Sequence, residues 1–151
     1  MFVIFDLDGT LANIEHRLHH IRKKDDQGNK LKPNWDQFHL DCVHDEPIWP
    51  IINIFRALRH QRHTIEIWSG RSDKVRAETV NWLEFHGIFA DKLLMRMHGD
   101  HRPDHELKEL WLDQLIGIRD KPDLVFDDRS RLVEMWRRNG IQCCQVAFGD
   151  F

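Results

Sequence analysis

Phe2-Val3-Ile4-Phe5-Asp6-Leu7-Asp8-Gly9-Thr10 is the stretch that decides the fold. Four apolar residues in unbroken succession, halted by an acid, suit a short central strand covered on both faces, as in a parallel sheet. Three further runs have the character of strands. His63 to Trp68 runs into Ser69-Gly70-Arg71, Asp123 to Phe126 runs into Asp127-Asp128, and Gln142 to Val146 is the expected last strand. Leu93-Leu94-Met95 is a weaker strand signal between them.

Helical periodicity fills the gaps. Ser72 is a candidate N-cap for a helix whose Val75, Thr79, Trp82 and Leu83 share one face, with Gly87 as its stop. Pro103 can open the next helix, in which Leu107, Leu110, Trp111 and Leu115 form a stripe. Leu132, Val133 and Trp136 mark another, stopped by Gly140. Strands alternating with helices imply βαβ units and an α/β sheet of about five parallel strands, helices on both sides.

The stretch from about Leu11 to Arg62 breaks the rhythm, with no good strand. His16 to Lys24 reads as a basic, His-rich helix, Lys24 to Pro33 as a polar loop, Trp35 to Leu40 as a short helix and Ile48 to Gln61 as the first crossover. Residues 12–47 are therefore expected to form a small, mainly helical cap inserted into one 1–151 domain.

In parallel sheets ligands bind beyond the carboxyl ends of the strands, and polar residues collect at those ends here. Asp6 and Asp8 follow the first strand, Ser69, Gly70 and Arg71 the second, and Asp127 and Asp128 a later one. Asp104 and Lys108 share one helix face. Taken singly, a D-x-D-G is a common turn, an acid pair after a strand often caps a helix, and Asp104–Lys108 is an ordinary surface ion pair. Four such sets at one edge of a sheet are poorly explained by chance. Carboxylates without thiolates select a hard cation such as Mg²⁺. A lysine, a serine hydroxyl and turn N–H groups suit a phosphoryl group. The matching chemistry is phosphoryl transfer, with an aspartate as nucleophile and a second carboxylate as acid and base.

Composition sets limits. The 151 residues carry a formal charge of −3, and protonating all eleven histidines would bring it to +8. This excludes a strongly basic coat for long nucleic acids. Glycine is never followed by lysine, so a G-x-x-x-x-G-K-[ST] phosphate loop, and P-loop kinase activity in this chain, are excluded. Three cysteines without a Cys-x-x-Cys, no apolar leader and no membrane-length run point to a reduced, cytoplasmic setting without membrane attachment. His98, His101 and His105 have metal-like spacing, but Pro103 interrupts them. Trp68, Trp82, Trp111 and Trp136 fall on core faces, which leaves Trp35 and Trp49 as candidate substrate neighbours.

Asp6-Leu7-Asp8-Gly9-Thr10-Leu11, Ser69, Lys108 and Asp127-Asp128 resemble, in order and spacing, the four motifs of the haloacid dehalogenase (HAD) phosphatases. Over nearly the whole length the chain is more narrowly similar to the 3′-phosphatase domain of the bacteriophage polynucleotide kinase–phosphatases. That similarity rests on Arg17, Ser69-Gly70-Arg71, Gly99-Asp100-x-Arg102-x-Asp104 with Lys108, Asp127-Asp128-Arg129, Val133 to Arg138, and the tail Gln145 to Phe151. The segment Glu15 to Lys32 is longer here, and the kinase domain of the bifunctional proteins has no counterpart.

The resemblance implies a HAD-like Rossmannoid three-layer sandwich. It implies a Mg²⁺-dependent phosphatase acting on 3′-phosphates of DNA or RNA through an aspartyl-phosphate. Asp6 would be nucleophile and Asp8 acid and base. Asp6, the Asp8 carbonyl and Asp127 would hold Mg²⁺, with Asp128 in support. Ser69, Gly70 and Lys108 would meet the phosphoryl group, Asp104 would orient Lys108, and Arg17 and Arg71 would assist catalysis. A separate kinase or ligase partner is the natural counterpart. A 5′-nucleotidase of the same fold and a non-catalytic module that binds nucleic-acid ends are the competing readings.

Overall fold

The computed structural model describes residues 1–116 and 120–149. The tail residues Asp150 and Phe151 lie outside them. The main sheet has five parallel strands: β1 (Phe2–Phe5), β4 (Thr64–Ser72), β5 (Lys92–Arg96), β6 (Leu124–Asp127) and β7 (Gln142–Gln145), in the spatial order β5-β4-β1-β6-β7. β1 is central, as its uninterrupted apolar run requires, and Val3, Ile4 and Phe5 have no solvent exposure.

Alternation along β1 divides the core in two. Val3 and Phe5 face a layer that contains Ile52 and Phe55 of α2 (Trp49–His60) and Trp82 and Leu83 of α3 (Arg76–Phe85). Ile4 faces the opposite layer, with Leu112 and Leu115 of α4 (Asp104–Leu115) and Leu132, Val133 and Trp136 of α5 (Ser130–Arg138). The result is the expected three-layer α/β sandwich. Trp68, Trp82 and Trp136 are core residues, and Trp111 packs against the second cluster.

The chain runs from β1 outward to β4 and β5, then returns to the other side of β1 for β6 and β7. The direction of winding reverses at the β1/β6 boundary, and such a switch point opens a crevice at the carboxyl ends of the strands. Asp6 and Asp127 stand at that boundary.

Three details differ from the sequence expectation. β4 does not stop at Trp68 but continues to Ser72, with a register shift against β5 between Ser69 and Ser72. Gly70 gives its carbonyl to Arg96 Nε at 2.8 Å, and the irregularity frees the strand to aim Arg71 inward. The basic stretch forms only a 3₁₀ turn over Glu15–His20, because Arg17 is pulled fully into the interior and Lys24 bridges Lys30 across a turn. Residues 12–47 also hold a two-stranded antiparallel ladder, β2 (Ala12–Asn13) with β3 (Glu46–Pro47), beside α1 (Trp35–Leu40) and a 3₁₀ turn at Asp41–His44. No helix among the described residues is long and apolar enough to cross a membrane.

Candidate active site

The β1 strand ends in a turn that folds back on itself. The N–H groups of Leu11 and Ala12 both reach the Leu7 carbonyl at 2.9 Å, and Gly9 N–H reaches the Ala12 carbonyl at 2.8 Å. Gly9 has φ +88°, and a Cβ there would overlap the Asp128 carboxylate. Glycine is thus required twice, by the backbone and by the approach of Asp128.

Asp6, Asp127 and Asp128 converge, each offering a carboxylate oxygen within 4.8 Å of the others. Lys108 reaches this cluster from α4. Its Nζ donates to Asp6 Oδ1 at 2.6 Å and to Asp127 Oδ2 at 2.9 Å, and the side chain is 1% exposed. Burial alone would lower the lysine pKa, but Asp127 and Asp6 outweigh it and hold the ammonium above its ordinary value. Burial raises the Asp6 carboxyl, with Lys108 opposing and Asp127 and Asp128 adding to the rise. Burial and the charge of Asp127 push Asp128 up to about 6.

This donor set fits a hard divalent cation. Three acids crowd together, and Asp128 Oδ1 is buried without any hydrogen-bond partner. The ligands are all oxygen, as Mg²⁺ prefers. Histidines 98, 101 and 105 form no such group among the described residues.

Asp8 points elsewhere. It accepts from Arg17 Nη2 at 2.8 Å and from Arg71, and both guanidinium groups are buried. Burial would raise its pKa, but Arg71 and Arg17 overcome that and hold the carboxyl below the usual range.

Asp104 does not hold Lys108. It pairs with Arg96, and its Oδ2 accepts from Arg129 Nη1 at 2.5 Å. The reason is geometric: Lys108 is drawn inward under the sheet edge, whereas Asp104 lies on the rim against Gly70, where a Cβ would overlap its carboxylate. Ser69 is fully buried and its Oγ accepts the Arg71 N–H at 3.2 Å. Asp6, Asp8, Gly70, Arg71 and Asp104 line a cavity of about 900 Å³, together with Trp35, His39, Lys32, Lys74 and Arg129. Trp49 is not in this lining; it packs edge-on to His86 on the α2–α3 side.

Sequence reasoning missed Asp45, His39 and Arg96, and gave Arg129 no role. Arg129, adjoining Asp127-Asp128, was the nearest to legible. Asp45 had no local signal at all.

A family model for the polynucleotide kinase PNKP phosphatase domain matches residues 1–151. A protein of Autographa californica nuclear polyhedrosis virus, described as a bifunctional polynucleotide kinase/RNA ligase, is 29% identical over 137 residues, covering 89% of this chain and 17% of the viral protein. A chain in the structure of the Pnkp1/Rnl/Hen1 RNA repair complex superposes with a TM-score of 0.77 at 29% identity, covering 99% of this chain and 43% of that one. A haloacid dehalogenase-like hydrolase from Streptococcus pneumoniae shares the fold, with a TM-score of 0.64 at 14% identity, covering 98% and 85%. The chain thus spans less than half the length of the first two relatives.

Proposed function

Because the chain belongs to the PNKP phosphatase-domain family of HAD-like hydrolases, we propose that it removes terminal 3′-phosphates from polynucleotides through an aspartyl-phosphate intermediate. The convergence of Asp6, Lys108, Asp127 and Asp128 at the sheet's switch point carries this reading.

In this reading an Asp6 carboxylate oxygen attacks phosphorus, and the bond from phosphorus to the sugar oxygen breaks. Asp8 donates a proton to the departing oxygen. It then takes a proton from the water that cleaves the acyl phosphate, which regenerates Asp6 and frees inorganic phosphate. In the free site Arg17 and Arg71 keep Asp8 ionised, the form that activates water. A bound phosphate dianion acts in the opposite sense and favours the protonated form required for the first step. Ser69, Lys108 and the N–H groups around Gly70 receive phosphoryl oxygens. Mg²⁺, held by Asp6, the Asp8 carbonyl and Asp127 with Asp128 in support, would supply positive charge to the nucleophile and the phosphoryl group when bound. Each such opposite-charge pair at 4 Å contributes roughly 4 kcal/mol at an effective dielectric near 20.

Residues 12–47 would serve as the cap of this single domain. The cavity is far larger than a phosphate requires. The Trp35 ring on its wall is 51% exposed, in contrast to the core tryptophans, and suits a nucleobase. Lys32 and Lys74 on the same wall suit flanking phosphates. A separate kinase or ligase is proposed as partner, since relatives of this chain occur in a kinase/ligase protein and an RNA repair complex. A cytoplasmic setting accords with three free cysteines.

The test is phosphate release, with Mg²⁺, from 3′-phosphorylated oligonucleotide, 5′-phosphorylated oligonucleotide, and 3′- and 5′-mononucleotides. Release from 3′-phosphorylated ends is expected. Release from 5′-mononucleotides alone rejects the proposal in favour of a nucleotidase, and tight binding of ends without release favours a binding module.

A further inference from the structure

His39 belongs to α1 of the cap and lines the same cavity as Asp8, Arg71 and Trp35. Its ring stacks on the exposed Trp35 ring with centroids 6.1 Å apart, and it meets Phe38 edge-on at 5.6 Å. Asp8 is the charge that acts on it most strongly, with Arg17 and Arg71 next. Those two arginines, both held by the Asp45 carboxylate, fix Asp8 in turn. His39 therefore adjoins both the proposed proton donor and the proposed platform for a base.

Nδ1 of this ring is enclosed by protein and has no hydrogen-bond partner. A neutral imidazole carries its proton on one nitrogen only, and a buried N–H without an acceptor is a rare orphan. The proton therefore sits on Nε2, the nitrogen left to face the cavity. Burial, with the neighbouring arginines, brings the pKa of the ring down to about 4, so at neutral pH it is an uncharged donor. A cation there would suit a phosphate oxygen, whereas an uncharged N–H suits a hydroxyl.

The substrate supplies such a hydroxyl at this place. Asp8 addresses the 3′-oxygen and Trp35 the base, and the terminal sugar joins the two. The polar group vicinal to the 3′-oxygen on that sugar is the 2′-hydroxyl, which RNA has and DNA lacks. We propose that His39 Nε2–H donates to the 2′-oxygen of the terminal nucleotide, so that the site favours ribonucleotide over deoxyribonucleotide 3′ ends. This rests on the reading of the chain as a 3′-phosphatase and adds the sugar that it selects.

The experiment measures kcat/KM, with Mg²⁺, on 3′-phosphorylated oligonucleotides that differ only in the terminal sugar: ribose, 2′-deoxyribose or 2′-fluoro-2′-deoxyribose. The unaltered chain should prefer the ribose end by about 5- to 10-fold, the worth of one hydrogen bond between neutral groups. The 2′-fluoro end keeps a ribose-like pucker without the hydroxyl and should behave as the deoxy end. His39→Phe keeps a ring against Trp35 but loses the N–H. It should lower the rate on the ribose end alone and bring the ratio within about twofold. Release without a sugar preference, a preference shared by the 2′-fluoro end, or one that survives His39→Phe overturns this proposal and leaves the 3′-phosphatase reading standing. No release from any 3′-phosphorylated end overturns both. Should His39→Phe fail to fold by circular dichroism, His39→Asn, whose shorter side chain does not reach the Nε2 position, takes its place. The same collapse of the ratio is expected, and an unchanged ratio overturns the proposal.

Discussion

Lys108 Nζ sits 2.6 Å from Oδ1 of Asp6, a residue 102 positions earlier in the chain. The two meet because β1 is the centre of the sheet and α4 leads into β6, the strand beside it. Lys108 is the buried cation that makes three neighbouring acids tolerable.

Lys108→Met should therefore cost stability as well as activity. Removal of one partner from a buried ion pair typically costs about 3–5 kcal/mol. Addition of Mg²⁺ should recover more of the melting temperature in Lys108→Met than in the unaltered chain, because the cation then has more uncompensated charge to satisfy. Thermal melts with and without Mg²⁺ check this, and an equal Mg²⁺ shift in both proteins would count against the shared cluster.

Asp6→Asn should abolish turnover while the fold survives, since the amide is isosteric but not nucleophilic. Circular dichroism and phosphate release together test it, and a fully active variant would falsify the nucleophile assignment. Chelation with EDTA should likewise stop turnover. Asp128→Asn, which removes the carboxylate with the orphaned oxygen, should raise the Mg²⁺ concentration needed for half-maximal rate.

Gly70→Ala should disrupt the rim rather than the core. Its Cβ would overlap the Asp104 carboxylate, which pairs with Arg96 and Arg129. A loss of about 1–3 kcal/mol is expected from such overpacking, together with a raised KM. Urea titration and steady-state kinetics provide the check.

His39 gives the pH dependence. Burial brings its pKa down to about 4 from an ordinary 6.5, so it folds in the neutral form. A folded pKa below the unfolded one means that the stabilisation is full above about 6.5 and is lost as pH falls toward 4. The carboxyl of Asp128 works in the opposite direction, since its raised value favours folding as pH falls through about 6. The two effects overlap, so the informative measurement is a difference. His39→Asn should flatten the loss of stability between pH 6.5 and 4 by about 2–3 kcal/mol relative to the unaltered chain, as read from urea midpoints.

Trp35→Ala should raise KM for 3′-phosphorylated oligonucleotides about 5- to 100-fold, the loss of one stacked base, and leave p-nitrophenyl phosphate turnover unchanged. An equal effect on both substrates would place Trp35 in a structural role.

Local pattern carried the sheet and its helical layers. Phe2 to Phe5 forms the buried central strand, and the apolar faces of Val75–Leu83 and Leu132–Trp136 are buried as their periodicity indicates. The residues at strand ends were also legible, because a strand that stops at a switch point must present its next side chains to the crevice. Where patterning misled, longer-range forces intervened. The basic run at His16 to Lys24 has helical composition, yet Arg17 is taken into the interior by Asp45 and Asp8, and the helix shrinks to a turn. Asp104 and Lys108 have the spacing of a helix pair, yet each finds a stronger partner from another element.

The sequence by itself determined the order of strands and helices and the identity of the acids and the lysine at the sheet edge, since periodicity and strand termination are local properties. Only the tertiary structure decided which charges face which. Ion-pair choice depends on distances between segments tens of residues apart and on the burial that makes those distances matter. That is why Asp45, a lone acid in an irregular stretch, emerges as the holder of Arg17 and Arg71 only once the chain is folded.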